Sequence, residues 1–279
     1  MVSPKRPKRL IIALSIVLAT LVLLGLLITF GQRYLIYFPD QSDPGSVAGL
    51  APGGKDVEFT TEDGLTLHTW LVEPTTGNKH TAVLFLPGNA GNRAVRLPGA
   101  TAMADLGYTV LMLEYRGYGG NPGHPSEEGL AKDARAAVAY LRGMGFAADH
   151  TLYVGESLGT GVAVRLAATY PPAGVLLRSP FTSLVAVAKN LYPWLPVNIL
   201  LRDRFDTLKY LPQVKVPITV LAGSADTLVP VSQSTTVADD APNLFQFLVL
   251  DGVGHNDDIW LGPYLAQQVD KLAVAAVPQ

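Results

Sequence analysis

Thr151-Leu152-Tyr153-Val154-Gly155-Glu156-Ser157-Leu158-Gly159-Thr160-Gly161 is the stretch on which the reading of this chain turns. It begins apolar and β-branched, passes through Gly-x-Ser-x-Gly, and runs into a helical pattern over residues 158–169. Strand before and helix after put the serine on a sharp turn. Side chains two residues to either side would collide with the neighbouring strand or helix, so those positions call for glycine. The turn lifts the hydroxyl clear of the sheet, and the helix N-terminus behind it favours developing negative charge. By composition the bare motif is expected about 0.1 times in such a chain, so its setting is what makes it specific. The plain alternative is a glycine-rich turn with a solvated serine.

Outward from this turn, apolar bursts recur at 82–86, 109–113, 152–154, 175–177, 218–221 and 245–250. Short segments that are apolar on both faces read as buried parallel strands. Helical patterns lie between them near 93–105, 127–143, 158–169 and 264–275. At the front, 57–61 and 65–72 alternate around Glu62-Asp63-Gly64, which signals a hairpin. The alternation predicts an α/β fold with a mostly parallel, doubly covered sheet and an antiparallel hairpin at its edge. In such sheets reacting groups sit just beyond the carboxyl ends of strands.

That rule selects the partners of Ser157. A hydroxyl is a weak nucleophile and needs an imidazole, held in turn by a carboxylate. Of the five histidines, His68 lies inside the hairpin, His80 precedes a strand, and His124 and His150 sit in loops before the serine. His255 directly follows the last burst within Gly252-Val253-Gly254-His255 and is the expected base. Asp226 follows the burst 218–221 and falls between serine and histidine in the chain. Asp206, Asp251, Asp257 and Asp258 are rivals, although most loop aspartates only cap turns. Acyl transfer also needs two donors for the tetrahedral oxygen, each worth about 10²–10³ in rate. The Leu158 N–H is one. The loop Leu86-Pro87-Gly88-Asn89-Ala90-Gly91-Asn92 should supply the other, with the Asn89 N–H favoured over that of Ala90.

The whole sequence has 279 residues, 48% apolar and 16% charged, which suits one large α/β domain and excludes disorder as its main state. It has no cysteine, so disulfides, thiol catalysis, iron–sulfur clusters and Cys-bound zinc are excluded. The net charge of −2 gives no basic excess for a nucleic-acid partner. That charge is unevenly placed. Lys5, Arg6, Lys8 and Arg9 stand in residues 1–30 with no acid, leaving 17 bases against 23 acids elsewhere. Residues 10–30 form an uncharged, strongly apolar run, long enough as a helix to cross a hydrocarbon core of about 30 Å. A cleaved signal peptide would have a shorter apolar region, about 7–15 residues, and a small-x-small site, which 29–33 lack. The expected organisation is a basic cytoplasmic tip (1–9), a transmembrane helix (10–30), a turn-rich juxtamembrane linker (31–55) and an extracytoplasmic catalytic domain (56–279). Tyr34, Tyr37 and Phe38 read either as an interfacial aromatic belt or as an apolar edge packed on the body. Ser15 and Thr20 are expected to bond back to the preceding turn.

Taken together, Leu84-Phe85-Leu86-Pro87-Gly88-Asn89-Ala90-Gly91-Asn92, Glu114-Tyr115-Arg116-Gly117-Tyr118-Gly119, Gly155-Glu156-Ser157-Leu158-Gly159-Thr160-Gly161, Arg178-Ser179-Pro180-Phe181-Thr182-Ser183, Ala225-Asp226 and Gly254-His255-Asn256-Asp257 resemble α/β-hydrolases of the bud-emergence (Bem) type. Those are membrane-anchored serine hydrolases akin to abhydrolase-domain thioesterases and serine-aminopeptidase-like enzymes. The resemblance implies the α/β-hydrolase fold, the order Ser157, Asp226, His255, no cofactor and a small cap, which residues 181–213 would form. Pro87 departs from the histidine that many relatives carry there, but a backbone donor survives that change. Arg116 is expected to bond loop carbonyls, and 202–206 to form a salt-bridged turn. The apolar stretch 191–201 reads as an acyl pocket, a surface dipping toward the bilayer, or buried cap core. The implied activity is cleavage of ester or thioester bonds in a small-molecule or acylated substrate. An aminopeptidase-like amide hydrolase, an acyltransferase on the same residues, and a membrane-held binding module on a hydrolase scaffold are the alternatives.

Overall fold

A computed structural model describes residues 6–278; most of the basic tip expected at 1–9 therefore lies outside the described residues. The chain opens with helix α1 (Arg6–Gly31). Its large apolar side chains from Leu10 to Leu27 are exposed around it, so most of this apolar surface is left uncovered. The Thr20 hydroxyl donates to the Ile16 carbonyl (2.9 Å), satisfying it inside the helix.

A short helix α2 (Arg33–Ile36) and strand β1 (Phe38–Pro39) follow. Residues 31–55 are turn-rich but not detached. Tyr37, Val47 and Ala51 are buried, and the Trp70 indole N–H donates to the Gly45 carbonyl (3.2 Å). Of the three aromatic residues expected to act together, Tyr37 packs inward while Tyr34 and Phe38 stay exposed.

The body is built from β2 (Gly54–Thr60), β3 (Thr66–Val72), β4 (Ala82–Leu86), the two-residue β5 (Ala90–Gly91), α3 (Leu97–Asp105), β6 (Thr109–Met112), α4 (Glu127–Gly143), β7 (Thr151–Glu156), α5 (Leu158–Thr169) and β8 (Gly174–Arg178). After these come α6 (Leu184–Leu191), α7 (Val197–Leu200), α8 (Thr207–Tyr210), β9 (Ile218–Gly223), α9 (Val231–Asp239), β10 (Leu244–Leu250) and α10 (Pro263–Ala276). Eight strands form one sheet in the order β2-β3-β6-β4-β7-β8-β9-β10. β2 and β3 pair antiparallel, as does β3 with β6; the remaining pairs are parallel.

Both faces of the central strands are covered, and their side chains show why those bursts read as continuous; β10 departs from the buried strand expected at 245–250, because it is the edge strand and leaves Phe245 and Val249 exposed. In β4, Ala82, Leu84 and Leu86 pack into one apolar layer with α4 and α5, while Val83 and Phe85 pack into the other with α3 and α10. Each such side chain contributes about 1.5–3 kcal/mol when fully buried. Helices α3, α4, α5 and α10 occupy the segments that the sequence pattern marked. Helices α6, α7 and α8 lie between β8 and β9, in the segment expected to form a small cap. Chain order reverses around β4, which sits between β6 and β7, so the switch point at which open α/β sheets bind ligands falls at the carboxyl ends of β4 and β7.

Arg116 corrects an expectation. It bonds carboxylates rather than loop carbonyls, forking to Asp133 (2.7 Å) and Asp63 (2.9 Å) to lock the loop after β6 to α4. In the 202–206 turn Arg204 pairs with Asp206, but Asp203 reaches back to Arg33 and Tyr37.

Candidate active site

Ser157 sits between the last residue of β7 and the first of α5, with φ 50° and ψ −115°. A non-glycine residue held there costs on the order of 1–3 kcal/mol, which the surrounding glycines make tolerable. A Cβ on Gly159 would lie 2.1 Å from the Leu86 carbonyl oxygen, and one on Gly155 would lie 2.8 Å from the Gly159 carbonyl. The turn can therefore close only if both positions lack side chains. Gly159→Ala should lower the thermal midpoint of the full chain by on the order of 10 °C, because backbone must move to admit the methyl group. A melt superimposable on that of the parent protein would contradict this packing.

The structure brings the three sequence-selected side chains together. His255 Nε2 lies 3.0 Å from Ser157 Oγ, and His255 Nδ1 lies 2.6 Å from Asp226 Oδ2. All three are nearly buried. Asp226 stands in the loop after β9, where its other oxygen accepts the N–H groups of Leu228 (3.0 Å) and Val229 (2.8 Å). Burial pushes its carboxyl up, but the imidazole and the Val229 amide outweigh that effect and hold it below the usual value. The rival carboxylates have other partners. Asp257 accepts the Gly254 N–H (2.8 Å), Asp251 the Ser224 hydroxyl (3.0 Å), and Asp206 pairs with Arg204. His68 lies beside Glu58 and His150 beside Asp149.

The loop after β4 closes over the same point. A Cβ on Gly88 would lie 3.5 Å from Ser157 Cβ. Leu158 is the first residue of α5, so its N–H has no acceptor within the helix. The Asn89 side chain donates to the Ile36 carbonyl (2.7 Å), and its own carbonyl accepts from the Phe38 N–H (2.8 Å) and the Tyr118 hydroxyl (2.8 Å). Among the described residues, the Asn89 N–H has no protein acceptor. Ala90 instead enters β5, opposite Phe38 of β1, and its carbonyl accepts from Arg96 (2.6 Å).

Sequence reasoning missed a buried group beside the serine. Glu156 Oε1 accepts from Arg96 Nη2 (2.9 Å) and from Arg178 Nη2 (2.9 Å). Arg178 also donates to the His255 carbonyl (2.8 Å), and Arg96 to those of Ala90 and Asn92. One carboxylate thus joins the loops that carry residues 90–92, 157 and 255. Burial drives the Glu156 carboxyl up, but the guanidinium groups of Arg178 and Arg96 override it and bring it down to about 2. The available signal was a charged residue two positions past the apolar burst 152–154, at the end of a strand read as buried, where it demands charged partners. Among the described residues, no group of three or more His, Asp or Glu side chains is arranged to hold a metal ion.

The geometry can be set beside known proteins. Residues 81–203 match the family model described as alpha/beta hydrolase fold. The chain is 46% identical over 227 residues to the Mycobacterium tuberculosis protein Rv2307c, covering 81% of each. It is 32% identical over 228 residues to the alpha/beta hydrolase domain-containing protein WAV2 of Arabidopsis thaliana, covering 74% of each. Among solved structures it superposes on the Pyrococcus furiosus esterase Pf2001 with a TM-score of 0.71 and 22% identity, over 86% of this chain and 97% of that one. At that identity the likeness speaks for the fold alone.

Proposed function

Because this chain belongs to the α/β-hydrolase family, we propose that it is a membrane-anchored serine hydrolase that cleaves carboxylic ester or thioester bonds. The observation that carries the reading is the unbroken hydrogen-bonded line from Ser157 Oγ through His255 to Asp226, 3.0 Å and then 2.6 Å long. His255 Nε2 takes the hydroxyl proton as Oγ attacks the acyl carbon. The N–H groups of Leu158 and Asn89 face the oxygen that gains the charge. His255 returns the proton to the leaving alcohol or thiol, and the acyl group stays on Ser157. Water, deprotonated by the same imidazole, then releases the acid. Asp226 fixes the ring tautomer and stabilises the imidazolium.

The anchor assignment is supported by α1. Its span Leu10–Thr29 has a mean hydropathy of 3.0 and lies uncovered by the rest of the protein. Four bases precede the apolar run and Arg33 follows it, which favours a cytoplasmic N-terminus and a body on the far side. In this reading residues 10–30 are the anchor and 56–279 the hydrolase domain, with 181–213 as its cap. The likeness to Bem-type enzymes adds to the same reading.

A fluorophosphonate probe applied to the detergent-solubilised full chain tests it. The expected outcome is covalent labelling of the parent protein and none of Ser157→Ala. Labelling that survives in the variant would remove Ser157 from the nucleophile's role.

A further inference from the structure

The cap carries a surface that the hydrolase site does not use. Residues 190–201 contain no charged side chain. Val197 turns inward, but Leu191, Tyr192, Trp194 (76% exposed) and Ile199 (85% exposed) face outward. Large apolar side chains gathered in this way on an exposed surface mark an interaction site.

The position of this surface indicates what covers it. A Cβ on Gly25 would lie 4.0 Å from Leu200 Cδ2, so α7 runs alongside the last turns of α1. Gln32 fastens the two. Its amide donates to the Leu200 carbonyl (3.1 Å) and accepts from the Arg202 N–H (2.7 Å). Gly25 lies four residues inside the Thr29 end of the apolar span. At 1.5 Å per residue that is about 6 Å below the end, so α7 stands level with the span rather than beyond it. Tyr34 and Leu35, on α2 directly after the span, are exposed as well. With α1 across a bilayer, the cap rim would stand at the depth where headgroups meet the first acyl carbons. Tryptophan and tyrosine are enriched at that depth, because their rings present an apolar body and a polar tip.

We propose that Leu191, Tyr192, Trp194 and Ile199 form a lipid-docking surface that seats the cap in the same leaflet that α1 enters. This rests on α1 being a membrane anchor. It gives the hydrolase body a second membrane contact, which would fix its tilt and the direction in which the Ser157 crevice opens.

The three tryptophans provide a native test, because Trp70 and Trp260 are buried and Trp194 is exposed. The full chain is reconstituted into phosphatidylcholine vesicles whose acyl chains are brominated near the headgroup, and its emission is compared with that in unbrominated vesicles. Brominated lipid should quench roughly a third of the emission, and Trp194→Phe should abolish that quenching. Equal quenching in both proteins, or none in either, overturns the docking surface if the chain still resists a sodium carbonate wash. A chain stripped from the vesicles by that wash overturns the anchor and the docking surface together. The two failures are thereby distinguishable.

Discussion

His255→Ala is expected to lower kcat/KM for a short p-nitrophenyl ester by roughly 10⁴–10⁶-fold, with Asp226→Asn lower by about 10⁴-fold. The first change leaves the Ser157 hydroxyl without a proton acceptor, since the imidazole 3.0 Å away is the one its geometry supplies. The second keeps the shape of the loop after β9 but replaces an acceptor by an amide. That change favours the wrong tautomer and removes the charge that steadies the imidazolium. In the proposed mechanism the three side chains act as one unit, so His255→Ala/Asp226→Asn should be no slower than His255→Ala alone. Steady-state rates of the four proteins, with fluorophosphonate labelling as a count of competent sites, decide it. A double variant slower by the product of the single effects would mean that Asp226 acts independently of His255.

The second large effect is on stability. Glu156→Ala leaves Arg96 and Arg178 buried beside one another with no carboxylate between them. Breaking a buried ion pair by removing one partner costs about 3–5 kcal/mol, because a charge stays buried and unpaired. For a body of this size that corresponds to a fall in melting temperature on the order of 10 °C. Glu156→Ala combined with Arg96→Met removes one of the two stranded charges and should recover part of the loss. Circular dichroism melts of the solubilised chain read both. The sign of the pH effect follows from the direction of the shift. The Glu156 carboxyl titrates near 2 in the folded protein, below its ordinary value. Its stabilising contribution is therefore whole above about pH 4.5 and fades only as the pH falls toward 2. A melt that is unchanged in Glu156→Ala at neutral pH would show that the two guanidinium groups find other partners.

The central sheet and the three side chains gathered at its rim were legible because their constraints are local. A buried parallel strand must be apolar on both faces, so the bursts at 82–86 and 218–221 stand out; Asp226 is found by counting just past 218–221, and His255 just past the burst at 245–250. The serine turn announces itself because its two glycines are forced by contacts, 2.1 Å at Gly159. What stayed hidden depends on partners distant in the chain. Nothing in 31–55 reveals that its turns are docked, because Gly and Pro report turn geometry and not what Val47 or Ala51 touch. Helix α9, Val-Ser-Gln-Ser-Thr-Thr-Val-Ala-Asp, is made of β-branched and small polar residues and has a weak apolar stripe, so packing on β9 rather than local propensity sustains it. The bridge from Arg96 through Glu156 to Arg178 joins positions 60 and 22 residues apart, beyond any local pattern. Arg116 went astray for the same reason, since Asp63 and Asp133 lie on other elements.

The strand β1 carries a practical lesson for anyone trimming this protein into a water-soluble form. The change in composition near Asp56 invites a cut there. Such a cut would discard Phe38, whose N–H holds the Asn89 carbonyl, Asp40, whose N–H holds that of Gly91, and Ile36, which receives the Asn89 side chain. The loop that faces the serine would lose its outer wall, and a feeble preparation would be misjudged as an inert protein. Cutting between Gly31 and Gln32 sheds the greasy helix and keeps that wall.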